Sequence, residues 1–183
     1  MINRLLAVLI TVTGLTLLAG CSSSDSSQSS SKVKKASATE VAPAVRAAPS
    51  MTARDIDGNV RIFSEWIGKQ PVIINVWGTW CPPCRREIPA IIQLYKEYKP
   101  KGVEIVSMAV RDTPEKVRQF TQQAGMDWVM VMRDDHVLQR LGYSGSVPTT
   151  IFFNKEGYEV QRFVGARSYD DFKAAFEAIT APS

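Results

Sequence analysis

The residues of this 183-residue chain best fitted to chemistry are two cysteines standing two residues apart, in the stretch Trp80-Cys81-Pro82-Pro83-Cys84. A pair so spaced at the start of a helix can close a small disulfide ring and open it again. The first turn of a helix carries unpaired backbone N–H groups and the positive end of the macrodipole, both of which favour a thiolate. A thiol placed there titrates below the ~8.5 of free cysteine. Cys81 is therefore the expected nucleophile. Cys84, one turn further in and less exposed, is the expected resolving thiol. Pro82 and Pro83 fit the first turn, where a missing N–H costs nothing. Two other uses of the pair fit less well. A structural bridge over so short a loop removes little entropy from the unfolded chain. A zinc site wants four ligands, and the further candidates are Cys21 and the lone histidine, His136. Neither metal nor cofactor is expected, since thiol–disulfide exchange proceeds between sulfurs alone.

Such a pair needs a strand that delivers it and a helix that opens on it. Pro71–Trp77 is a continuous apolar run rich in β-branched residues, the pattern of a strand covered on both faces. From Pro82 to Tyr98, Ile88, Ile91, Ile92 and Tyr95 recur on one helical face. Upstream, Met51–Ile56 and Asn59–Phe63 flank Asp57-Gly58 and predict a hairpin, followed by a short helical turn over Ser64–Gly68. Downstream, the pattern predicts strands at Val103–Val110 and Trp128–Met132 and helices at Thr113–Ala124 and Asp135–Leu141. It ends with a hairpin of Thr149–Asn154 and Tyr158–Val164 and a helix over Tyr169–Ile179. This is an α/β architecture, a central mixed β-sheet flanked by helices.

The segment Val76-Trp77-Gly78-Thr79-Trp80-Cys81-Pro82-Pro83-Cys84-Arg85-Arg86-Glu87-Ile88-Pro89 resembles the active-site strand and helix of thioredoxin-fold proteins, in particular the TlpA/ResA branch. The resemblance spans about residues 51–183 and implies a thioredoxin-like fold with an N-terminal β-hairpin. The helix–strand segment from about Asp112 to Asp135 stands where that branch carries its central insertion. Pro89 falls where the family kinks its active-site helix. Pro148, in Ser146-Val147-Pro148-Thr149, falls where it has a cis-proline; taken alone, an ordinary strand-start proline is the commoner case. A cis bond there would turn the Val147 backbone toward the disulfide and let it pair with a bound peptide. Trp80 and Trp77 border the pair. Trp80 is a candidate for packing a substrate chain, and Trp77 is equally suited to the core. Where plain thioredoxin has a buried Asp, this chain has Asn75, which cannot take a proton. Glu87, three residues after Cys84 on the same helix face, matches a functional Glu of ResA-like proteins and could take the proton from Cys84. Its alternative is an exposed helix carboxylate. Arg85 and Arg86 read best as a solvated face, and His136 as surface.

The resemblance implies a disulfide reductase acting on proteins. Its expected clients are apocytochrome c or copper-site assembly proteins, and its electrons would come from a membrane thiol reductase of the DsbD or CcdA kind. Two other classes compete with this reading. A copper metallochaperone of this fold uses a spacing one residue longer with a distant His, whereas His136 here precedes Pro148. A thiol peroxidase needs a peroxidatic cysteine in another setting.

The N-terminus reads as an address. A charged start, an apolar stretch from Leu5 to Leu18 and small residues make residues 1–20 a signal peptide. Leu18-Ala19-Gly20-Cys21 resembles a lipoprotein lipobox, which implies cleavage before Cys21 and its lipidation. Ser22 then leans toward the outer membrane, facing the periplasm. Residues 21–50 are Ser- and Ala-rich, with few large apolar groups, and are expected to form a disordered tether of about 30 Å reach. Without residues 1–20 the chain keeps 21 basic against 18 acidic residues. That balance gives no footing for nucleic acid.

Overall fold

The computed structural model describes residues 51–182. The expected signal peptide, Cys21 and the expected tether lie outside them. Seven strands and four α-helices follow in the order β1 (Thr52–Arg54), β2 (Val60–Ile62), β3 (Val72–Trp77), α1 (Pro82–Tyr98), β4 (Glu104–Ala109), α2 (Pro114–Ala124), β5 (Val129–Met132), α3 (Asp135–Arg140), β6 (Thr149–Phe153), β7 (Glu159–Val164) and α4 (Tyr169–Thr180). A five-stranded sheet runs β5-β4-β3-β6-β7. Strands β3, β4 and β5 are parallel, while β6 and β7 are antiparallel to their neighbours. The expected hairpin of β1 and β2 forms a separate two-stranded sheet. It is tied to the β5 edge by an Asp55–Val131 bridge and by the Ile56 N–H donating to the Met130 carbonyl.

β3 is central because every one of its six residues is buried and can meet a layer on either face. One face carries Ile73 and Trp77, packed against α1, α2 and α4. The other carries Val72, Ile74 and Val76, packed against α3 and the N-terminal hairpin. α1 is anchored on the sheet partly through aromatic contacts. Tyr98 meets Phe176 of α4 with ring centroids 5.2 Å apart, and Phe176 meets Phe152 of β6 at 6.2 Å. Each such pair adds about 0.5–1.5 kcal/mol beyond its area burial.

One polar stripe crosses the apolar sheet. In register, Asn75 lies between Ser107 of β4 and Thr150 of β6. Its amide donates to Thr150 Oγ1 at 3.0 Å and its carbonyl accepts from Ser107 Oγ at 3.4 Å, while Trp128 Nε1 donates to Ser107 Oγ at 2.8 Å. A buried amide with both ends engaged is satisfied without ionising.

Candidate active site

β3 ends at Trp77, and a three-residue loop leads to Cys81, the N-cap of α1. The two cysteines form a disulfide, with Cα atoms 5.3 Å apart. Cys81 Sγ accepts the Cys84 backbone N–H at 3.2 Å, so the sulfur takes the place of a capping oxygen on one of the orphan donors of the first turn. A sulfur so placed is stabilised more as thiolate than as thiol. Exposure does not separate the two cysteines as the sequence suggested: in the disulfide form Cys81 is 2% exposed and Cys84 1%. What distinguishes them is position along the helix: both belong to the same buried cluster, but Cys81 is the N-cap of α1 and Cys84 lies inside its first turn.

Glu87 is 4% exposed, far deeper than an ordinary helix carboxylate. Neither of its carboxyl oxygens has a partner within hydrogen-bonding geometry. Burial pushes its pKa up to about 7. The Arg167 backbone N–H, the Asn75 amide and the Arg167 charge oppose that shift only in part. A helix places position i+3 beside position i, so the carboxyl belongs to the same face as Cys84. A carboxyl held near neutrality on that face can exchange a proton at physiological pH.

Pro148 opens β6, which pairs with β3 through Val76 and Thr149, so it stands at the same end of the sheet as the cysteine loop. The Val147–Pro148 bond is cis. Val147 is half-buried and packs against the cluster that contains both cysteines. The Pro148 carbonyl accepts the Gly165 N–H at 2.8 Å, which ties β7 to this corner.

Trp80 is the large exposed apolar residue at the site, 43% accessible. Its indole N–H donates to the Val110 carbonyl at 3.0 Å, and its ring lies against Gly78. Trp77, by contrast, is core, 1% exposed and in tilted ring contact with Phe120, centroids 5.4 Å apart. Arg85 and Arg86 are exposed as expected, with Arg85 over the Phe120 ring at 5.5 Å. His136 is exposed on α3, which covers the sheet face opposite α1.

Two residues of the site have no counterpart among the sequence-level candidates. Asp112, in the loop after β4, accepts the Thr79 N–H at 2.7 Å and the Thr79 hydroxyl at 3.0 Å. Arg111 beside it stacks on Trp80, its guanidinium carbon 4.0 Å from a ring centroid. The loop after β4 therefore braces the loop after β3. The available signal was positional: both loops follow the carboxyl ends of neighbouring parallel strands, where α/β sheets place their ligands.

This packing makes Gly78 sensitive. A Cβ at Gly78 would fall 2.4 Å from Trp80 Nε1 and 2.8 Å from Cε2. Gly78→Ala is expected to dislodge the indole from Val110, shifting the tryptophan emission and lowering stability by about 1 kcal/mol, the worth of one buried hydrogen bond. An unchanged emission spectrum and melting curve would show that the ring is not seated there.

Comparison with known proteins agrees with this geometry. The AhpC/TSA family model matches residues 45–161. Thiol-disulfide oxidoreductase ResA of Geobacillus thermodenitrificans is 35% identical over 133 residues, covering 72% of this chain and 75% of that protein. The crystal structure of a thioredoxin-family thiol:disulfide interchange protein from Chlorobium tepidum superposes with a TM-score of 0.66 at 28% identity, over 73% of this chain and 95% of that one. A secreted Mycobacterium tuberculosis disulfide oxidoreductase homologous to DsbE shares the fold, with a TM-score of 0.62 at 22% identity over 70% and 95% of the two chains. With a helix-capping cysteine pair on a thioredoxin sheet and these relatives, the chain belongs to the AhpC/TSA family and is a thiol–disulfide oxidoreductase of the ResA type.

Proposed function

We propose that the protein is a lipid-anchored, extracytoplasmic reductase of protein disulfides. The observation that carries the exchange chemistry is Glu87, buried and unpartnered on the Cys84 face of α1; the reducing direction is what the resemblance to the TlpA/ResA branch implies. The reduced protein starts with Cys81 as thiolate and Cys84 as thiol. Cys81 attacks one sulfur of the client disulfide, and the other client sulfur departs as a thiolate that takes a proton from solvent. Glu87 then takes the proton of Cys84. The new Cys84 thiolate attacks Cys81 Sγ, breaks its bond to the client, and releases the second client thiol. The Cys81–Cys84 disulfide is the product state. Two electrons from a membrane thiol reductase of the DsbD or CcdA kind would restore the dithiol. Trp80, Val147 and Pro148 frame the pair and supply the client's contact surface. Clients with cysteines that must be kept reduced, such as apocytochrome c or copper-site assembly proteins, suit this role. The copper-carrier alternative has less support, because His136 sits on the helix across the sheet.

The reduction potential of the pair tests the direction. A reductase is expected to poise near thioredoxin, about −270 mV, and a value near that of DsbA, about −120 mV, would make the protein an oxidant instead.

The anchor is tested separately. Lipidation at Cys21 would add about 0.8 kcal/mol per buried CH₂, so a multiply acylated chain stays on the membrane. Cys21→Ser is expected to move the protein into the soluble fraction with its exchange activity intact. Unchanged partitioning would remove the lipoprotein reading, and with it the preference for the outer membrane drawn from Ser22.

A further inference from the structure

A cleft of about 540 Å³ opens beside Trp80, on the α3 side of the site. Its walls include Arg111, Arg133, Tyr143 and the Ser144-Gly145 backbone that leads to Val147. It thus joins the two loops that frame the cysteines, the one after β4 and the one before β6. Two cations reach into it. Both exert their charge on the Tyr143 hydroxyl, whose pKa burial raises and the two guanidiniums lower. Arg133 is partly neutralised by Asp135, 2.7 Å away. Arg111 has no carboxylate partner among the described residues; its neighbour Asp112 is engaged by Thr79.

The backbone at Arg111 makes this cation more than a chance surface charge. Its φ is +54°, alone among the non-glycine residues described. An L-residue seldom occupies the left-handed region unless its surroundings hold it there. Here the surrounding contacts hold it: Asp112 grips Thr79, Val110 receives the Trp80 indole, and the guanidinium carbon sits over the exposed ring, 4.0 Å from its centroid. An arginine stacked on an aromatic face keeps its N–H edge free, and that edge recognises planar oxyanions.

We propose that Arg111, stacked on Trp80, and Arg133 across the cleft form a subsite for an acidic side chain of the client polypeptide, a Glu or Asp within a few residues of the cysteine that Cys81 attacks. The subsite rests on the reading that the pair acts on protein disulfides. It makes Arg111 a specificity-determining residue and Trp80 its support. The client's carboxylate would meet the guanidinium edge while its main chain runs past Val147. The attraction is partly solvent-exposed, so it falls with ionic strength.

The test uses the full-length reduced protein and two sets of peptides. Each peptide carries one internal disulfide, with either Glu or Gln at one to four residues from a cysteine. The readout is the ratio of second-order rates, Glu over Gln, from acid-quenched time points, so any general slowing of a variant divides out. For the wild type the ratio is expected to reach about five- to tenfold at one or two positions in low salt and to shrink toward unity at high salt. Arg111→Asn keeps a residue that tolerates the left-handed backbone, and it should bring the ratio to unity. Arg111→Lys should retain part of it. Equal wild-type rates at every position, or a ratio that survives Arg111→Asn, would overturn the subsite while leaving the reductase reading in place. If no peptide oxidises the wild type while a small aromatic disulfide does, the protein-disulfide reading itself falls, and the subsite with it.

Discussion

Cys84→Ala is expected to convert the protein into a trap, in which clients accumulate as mixed disulfides on Cys81 and turnover falls by about 10³-fold or more, the scale of losing a member of a catalytic unit. The two proposed roles rest on position. Cys81 caps α1, and its sulfur already accepts the Cys84 N–H at 3.2 Å, a bond that strengthens when the sulfur carries charge. Alanine at 84 leaves that backbone donor and the helix terminus in place, so attack proceeds. It removes the one sulfur positioned to displace the client. Cys81→Ala should trap little, because Cys84 lies within the helix and not at its N-cap, where the sulfur meets the orphan N–H donors. Non-reducing electrophoresis of tagged variants, with the partners released by reductant, reads the difference directly. Equal trapping by the two variants would mean that the helix terminus does not select the nucleophile.

The parts of the site that were legible from the sequence are those fixed by local pattern. The run Pro71–Trp77 could be little else than a buried central strand, and β3 occupies Val72–Trp77 of it. The span predicted for α1, Pro82 to Tyr98, is the span observed, because a capping cysteine and two first-turn prolines mark its start. Thr113 caps α2, and Gly125 ends it with a φ of +74°. Asn75 was legible as a non-titrating stand-in, and its satisfied hydrogen bonds agree.

Depth was not legible. Periodicity puts Glu87 on the face of Ile88 and Ile91, but how far that face sinks depends on what covers it. Part of the cover comes from the loop holding Arg167, 80 positions further on. The near-equal burial of Cys81 and Cys84 is the same kind of fact. The clamp of Asp112 on Thr79 joins residues 33 positions apart in two short polar loops, and neither loop has a periodicity to read. A left-handed arginine leaves no trace in composition at all.

Glu87→Gln is the second large effect, and pH separates its two parts. In the unfolded chain a glutamate titrates near its ordinary value of 4.5, whereas in the folded protein burial holds Glu87 at about 7. Below pH 4.5 the group is protonated in both states and contributes no pH dependence. Between 4.5 and 7 the unfolded chain gives up its proton first, so stability is lost as pH rises. Above 7 both states are ionised and the loss is complete, at about 3 kcal/mol. Glutamine cannot ionise, so its stability relative to wild type should climb by about that amount between pH 4.5 and 8. The cost of burying an amide N–H₂ without partners is a constant offset that does not change with pH. Chemical denaturation across that range measures the slope, and a difference flat in pH would mean that Glu87 is solvated. The same substitution acts on the thiols. A carboxylate and a thiolate on one helix face disfavour each other's charge, so their titrations are coupled. Removing the carboxylate should lower the apparent thiol pKa values seen in alkylation rates, yet slow the release of mixed disulfides, because Cys84 loses its proton acceptor. A thiol that ionises more readily but resolves more slowly is the signature of a lost base, and a mere change in packing does not produce it. Superimposable alkylation profiles with unchanged turnover would return Glu87 to the status of a buried structural residue.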